Sequence, residues 1–131
     1  MKTLKLKPEL SKLNDLNLDE VLSFYDYRKT TILNTTLVLE ELLSNIIKYS
    51  NCTSDITVQL GFSDHDIRLK VTDNGDHFNP LTAPDPDLSD DLYNRPIGKL
   101  GIYLTKQLSE EFNYNRKDGY NVVEVTMENV V

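Results

Sequence analysis

The chain has 131 residues, 39% hydrophobic and 27% charged, a balance that suits one globular domain, residues 1–131, rather than a disordered segment. Its net charge of −7 argues against direct nucleic-acid binding, which needs a basic surface to displace counterions. A single cysteine, Cys52, excludes an internal disulfide or a cysteine metal cluster, and no run reaches the roughly 20 apolar residues of a membrane span; the expectation is a cytoplasmic protein with no membrane partner.

Along the chain, "TLKLK" alternates and predicts a short strand, and Pro8 suits a helix start. Leucines from Glu9 to about Tyr27 predict one or two helical pieces, interrupted between Asn14 and Asp19. Thr30 to Tyr49 predicts the strongest helix, with Leu39, Leu42, Leu43, Ile46 and Ile47 as its buried stripe. Ile56, Val58, Leu60 and Phe62 alternate with polar residues, as do Ile67, Leu69 and Val71, so an antiparallel hairpin is expected with Asp73 at its end. Residues 73–97 show no period and hold Pro80, Pro84, Pro86 and Pro96 among many aspartates; a loop this long in a compact domain is functional or disordered. Ile97 to Glu110 predicts a helix. A last hairpin turns at "KDGY", with Val123, Val125 and Met127 facing inward. Together these elements predict an α+β sandwich, a mostly antiparallel sheet covered on one face by helices.

Several residues stand out chemically. On the strongest helix, Glu41, Asn45 and Lys48 are spaced by four and then three residues, so they stack on one side. They form either a solvated face or the parts of a site for a phosphate and its metal. An amide oxygen such as that of Asn45 is a suitable hard ligand for Mg2+. Asp73, at a strand end, can accept a hydrogen bond from an exocyclic amine such as that of adenine, with Gly75 allowing close backbone approach; Asp-Asn-Gly is equally good turn chemistry. In "PIGKLGIYL", Gly98 and Gly101 open a helix whose amides and dipole favour an anion, and Lys99 adds charge; a plain loop-to-helix junction reads the same way. His65 and His77 lack ligand spacing, and Cys52 has no evident catalytic partner.

In their order and spacing, "EELLSN", "DNGDHFNP" and "RPIGKLGIYL" resemble the three nucleotide boxes of the GHKL ATPase superfamily. With the ending "YNRKDGYNVVEV", the chain is most similar to the anti-sigma-factor serine kinases, over roughly Thr30 to Met127. The resemblance implies a two-layer α/β sandwich of the Bergerat type that binds ATP and Mg2+. By motif position it implies Asn45 as the Mg2+ ligand, Glu41 as general base, and Asp73 as acceptor for the adenine amine with Gly75 beside the base. Gly98, Lys99, Leu100 and Gly101 approach the phosphates through backbone amides, and Arg95 reaches a phosphate from an ATP lid over residues 79–97. The implied partners are a STAS-domain anti-sigma antagonist as phosphate acceptor, a sigma factor as inhibited target, and a second copy of the chain in a homodimer. The sequence departs from the family pattern in four places. Tyr49 stands where histidine is frequent, Phe78-Asn79-Pro80 replaces Phe-Asp-Pro, the last strand lacks a Gly-Thr pair that often helps bind adenine, and the first helical region has no recognisable partner-binding pattern. The alternative is a nucleotide-dependent binding module without catalysis, which keeps Asn45, Asp73 and the glycines but does not need Glu41.

Overall fold

The alternating segments pair into one sheet, and the residues that alternate inward meet a single long helix. The computed structural model describes residues 2–15, 20, 26–82 and 99–129. Its strands are β1 (Lys2–Leu6), β2 (Ile56–Phe62), β3 (Asp66–Asp73), β4 (Glu111–Lys117) and β5 (Tyr120–Glu128). They lie in the order β1-β2-β3-β5-β4, and every neighbouring pair is antiparallel. Asp118 and Gly119 both have positive φ, 53° and 83°, so the β4–β5 turn is of the tight type that Asp-Gly favours.

Two α-helices are fully delimited among the described residues, α1 (Lys29–Tyr49) and α2 (Lys99–Leu108). Val38, Leu39, Leu42, Leu43 and Ile46 of α1 are buried against Ile56, Val58, Leu60, Ile67, Leu69, Val71, Val123, Val125 and Met127 of the sheet. Truncating one such leucine to alanine costs about 2–5 kcal/mol. Helix α2 packs beside α1 and touches β4, while Arg68, Lys70 and Glu124 on the other side of the sheet are exposed. The result is the expected α+β sandwich, helices on one face.

The element boundaries differ in detail. Between Glu9 and Tyr27 the described residues hold a 3-10 turn, Leu10–Asp15, and a helical Glu20, while residues 16–19 and 21–25 lie outside the described ones. Helix α2 ends at Leu108 rather than Glu110, because the Glu110 amide leaves the helix to bond the Thr126 carbonyl at 2.8 Å. Within the long loop a short 3-10 turn, Pro80–Thr82, is capped by Asn79 Oδ1, which accepts the Leu81 amide at 2.9 Å. Asparagine thus caps where the family's aspartate is more usual. Residues 83–98, which include most of the segment expected to be a lid, with Arg95, and also Gly98, lie outside the described residues. No helix among the described residues is long and apolar enough to cross a membrane.

Candidate functional site

Inward parity on two neighbouring strands carries two polar residues into the core. Asp73 continues the buried series Ile67, Leu69, Val71, and Asn121 begins the series Val123, Val125, Met127; the two stand directly opposite in the β3–β5 register. Asp73 is 2% exposed and Asn121 1%. Such burial is tolerable only with hydrogen-bond partners. Asp73 Oδ1 accepts the Gly75 amide at 2.9 Å and the Asn121 amide nitrogen at 3.1 Å. Asn121 Nδ2 also donates to the Asp76 carbonyl at 2.7 Å. Its Oδ1 accepts from the Tyr114 hydroxyl (2.6 Å), the Arg116 guanidinium (3.1 Å) and the Phe78 amide (3.2 Å). Arg116 bonds the Gly75 carbonyl as well, at 2.7 Å. Among the described residues no donor reaches Asp73 Oδ2.

Gly75 is pressed against the end of α1. A side-chain carbon there would fall 2.5 Å from Ser50 Oγ and closer still to the Ser50 carbonyl oxygen, which accepts the Asp76 amide at 2.6 Å. Glycine is therefore required for the Asp73 loop to pack on the helix terminus. Asn51, at φ 55°, ends α1 and donates to Asp76 Oδ2 at 2.9 Å, tying helix end and loop together.

One helical turn from that terminus, Asn45 is 3% exposed and donates Nδ2 to Glu41 Oε1 at 3.1 Å. A carboxylate only accepts, so the amide nitrogen must face it and Oδ1 must face away. No donor to Asn45 Oδ1 is found among the described residues. Glu41 in turn presses its carboxylate against Gly101 in the first turn of α2, where any side chain would collide with it. Lys99 and Leu100 open that helix. Lys48 is exposed on the last turn of α1. Of the three polar residues stacked on the helix, Glu41 and Asn45 come together and Lys48 stays at the solvent side.

Leu42, Asn45, Ile46, Asp73, Phe78, Pro80, Asn121 and Val123 line one cavity, in which the space open to the centre of a water-sized sphere is only about 10 Å³. That is room for about one water. Phe78 is itself stacked on exposed Tyr49, with ring centroids 6.1 Å apart.

The donor set fits a purine nucleotide and its metal. Asp73 Oδ2 offers a buried acceptor to an exocyclic amine, and Asn45 Oδ1 offers a hard oxygen to Mg2+. No group of three His, Cys, Asp or Glu side chains among the described residues could hold a metal by itself. This suits Mg2+, which is commonly held by few protein ligands together with substrate phosphates. Burial, then the charge of Asp73, raises the Cys52 thiol, with a smaller contribution from Asp55, against hydrogen bonds to the Ser54 and Asn74 backbone that lower it. It is the opposite of an activated thiolate. The Tyr114 phenol is raised chiefly by burial and also by Asp73, with Arg116 opposing.

Asn121, Tyr114 and Arg116 lie within the ending "YNRKDGYNVVEV" but were not among the residues expected at the site. The available signal was parity: Asn121 is the polar residue two positions before the inward Val123.

A helix-on-sheet sandwich with a buried acceptor at a strand end, and an amide one helical turn from a carboxylate, is the architecture of a nucleotide-handling domain of the histidine-kinase type. The chain belongs to the histidine kinase-like ATPase domain family, whose sequence model matches residues 15–127. It is 28% identical over 94 residues to a serine/threonine-protein kinase, BtrW, of Bordetella bronchiseptica, covering 70% of this chain and 66% of that one. It is 25% identical over 127 residues to the serine-protein kinase RsbW of Listeria monocytogenes, covering 92% and 81% respectively. The crystal structure of the RsbU and RsbW domains of a Mycobacterium tuberculosis protein shares the fold, with a TM-score of 0.68 and 16% identity over 97% of this chain and 32% of that one. The family is the one the motifs implied, and the two relatives at 25–28% identity are named as serine kinases.

Proposed function

We propose that this protein is an ATP-dependent serine/threonine kinase of the anti-sigma-factor type, acting in the cytoplasm on a STAS-domain antagonist and sequestering a sigma factor, itself a homodimer. One observation carries the reading. Two buried oxygens without protein donors among the described residues, Asn45 Oδ1 and Asp73 Oδ2, belong to residues that line one cavity, and Glu41 stands one helical turn from the first.

In this reading Asp73 accepts the amine of adenine, and Asn45 holds Mg2+ with the help of the phosphates. When bound, the metal offsets the charge that develops on the transferring phosphoryl group. Gly98, Lys99, Leu100 and Gly101 offer backbone amides at the start of α2, and Arg95 and Lys48 add positive charge around the phosphates. Glu41 takes the proton of a serine or threonine hydroxyl. The hydroxyl oxygen forms the new bond to phosphorus, the bond from phosphorus to the β,γ-bridging oxygen breaks, and ADP leaves. Phosphoryl transfer asks little of the protein beyond such positioning and electrostatics.

The non-catalytic binding module remains the second reading. The packing of the Glu41 carboxylate between Asn45 and Gly101 favours it, since the base is engaged inside the protein rather than presented to a substrate. Incubation with γ-labelled ATP and candidate STAS-domain proteins decides between them. Label on a partner serine or threonine supports the kinase. ATP-dependent complex formation without label selects the binding module.

A further inference from the structure

Asn121 makes five hydrogen bonds through one side chain, more than any other residue around the cavity. Three donors converge on its oxygen and two acceptors take its nitrogen, so the amide can sit only one way round. The strands supply the framework. Asn121 is paired with Asp73 across β5 and β3, while Tyr114 and Arg116 reach it from β4. The amide nitrogen takes Asp73 Oδ1, and the Gly75 amide takes the same oxygen. With both donors on Oδ1, the other oxygen has no donor among the described residues, and Asp73 and Asn121 line the same cavity.

We infer that Asn121 is the positioning residue that makes this pocket selective for a 6-amino purine, by fixing which oxygen of Asp73 faces the base. The inference rests on the ATP reading above and deepens it. A carboxylate acceptor held in a small buried pocket accepts from the 6-amino group of adenine. It repels the 6-carbonyl of a hypoxanthine or guanine base, because two acceptors then face each other without a proton between them. Selectivity of this kind depends on the carboxylate being unable to turn. Asn121 prevents the turn, and Arg116 and Tyr114 keep Asn121 itself in place.

The test compares dissociation constants for ATP and ITP, which differ at that one position of the base, in wild type, Asn121→Leu and Asn121→Asp at one fixed pH, with thermal melting to establish folding. Leucine removes the donor to Asp73. Aspartate keeps an acceptor for Tyr114, Arg116 and the Phe78 amide, so it provides a folded variant where leucine does not. Its two facing carboxylates repel or share a proton, and either way the acceptor offered to the base is displaced or weakened. The expected result is a loss of ATP affinity of about tenfold or more, with ITP affinity unchanged, so the ATP-to-ITP preference shrinks. Equal losses for both nucleotides, or an unchanged preference in the folded variants, overturns the inference and leaves Asn121 as scaffold. A wild-type protein that binds neither nucleotide removes the ATP reading itself, and this inference with it.

Discussion

Asn45 donates its side-chain amide to the carboxylate of Glu41, one turn earlier on α1, at 3.1 Å. The bond joins the expected metal ligand to the expected base and orients both. It turns Asn45 Oδ1 away from Glu41. Asn45→Ala removes that oxygen and also frees Glu41 to turn. The expected outcome is a loss of the Mg2+-dependent part of ATP affinity by about tenfold or more, in the range of a removed hydrogen-bonded or ligating contact, with affinity in chelator nearly unchanged. Calorimetry with and without Mg2+ checks it. A variant with the full metal dependence of wild type takes Asn45 out of this role.

A side chain at either Gly75 or Gly101 would meet a neighbour, but at Gly101 that neighbour is the movable end of Glu41. At Gly75 the obstacle is the Ser50 carbonyl, fixed at the end of α1. Backbone cannot step aside cheaply, so Gly75→Ala is expected to destabilise the fold by about 1–3 kcal/mol, the usual cost of overpacking. Urea unfolding reads this as a lower midpoint with an unchanged slope. An unchanged midpoint would mean that the loop relaxes away from α1 freely.

The strands and α1 were legible in the sequence because their patterns are local. Apolar residues at period two from Ile56 and from Ile67 needed no knowledge of partners, and "KDGY" marks its own turn. For the candidate site, motifs singled out Glu41, Asn45, Asp73, Gly75 and Gly101 among the residues the structure describes. Asn121 escaped because its role is made by the β3–β5 register, which brings it beside a residue 48 positions away. The same holds for Arg116, which reaches Gly75 across 41 positions. The absent Gly-Thr pair pointed to a gap in the last strand, and Asn121 supplies the polar side chain that meets Asp73 there.

Cys52 gives a pH prediction. Burial and the nearby charge of Asp73 raise its thiol above the ordinary value of 9.0. The folded protein then holds the proton to higher pH than the unfolded chain does. Stability from this group is complete below the ordinary thiol value and declines as pH rises through the folded one. Alkylation of the native thiol is accordingly expected to lag a free cysteine at neutral pH, with the lag abolished in denaturant. Midpoints of urea unfolding for wild type and Cys52→Ser across pH 7–10.5 check the linkage: the wild type should lose ground relative to the variant at the alkaline end. Parallel curves would show that the thiol titrates alike in both states.

Glu41 tests chemistry apart from binding. Its carboxylate bonds Asn45 and packs on Gly101, and it does not line the cavity beside Asp73. Truncating it should leave adenine recognition intact. Losing a general base typically costs about 10²–10⁴ in rate, so Glu41→Ala should bind ATP nearly as wild type does and transfer phosphate far more slowly. Glu40 is the internal control, since the next residue lies about 100° around the helix and is exposed. Gly101→Ala adds a second probe of the same group. The colliding atoms belong to the flexible end of Glu41, so the fold can accommodate the methyl, and alanine is the better helix former by about 1 kcal/mol. The substitution should therefore leave the melting temperature near or above wild type while it pushes the carboxylate off Asn45 and slows transfer. Measured together on an unphosphorylated STAS partner, slow transfer in Glu41→Ala and Gly101→Ala with normal transfer in Glu40→Ala supports Glu41 as the base. Wild-type rates in Glu41→Ala would remove it from that role, whatever the other two variants do.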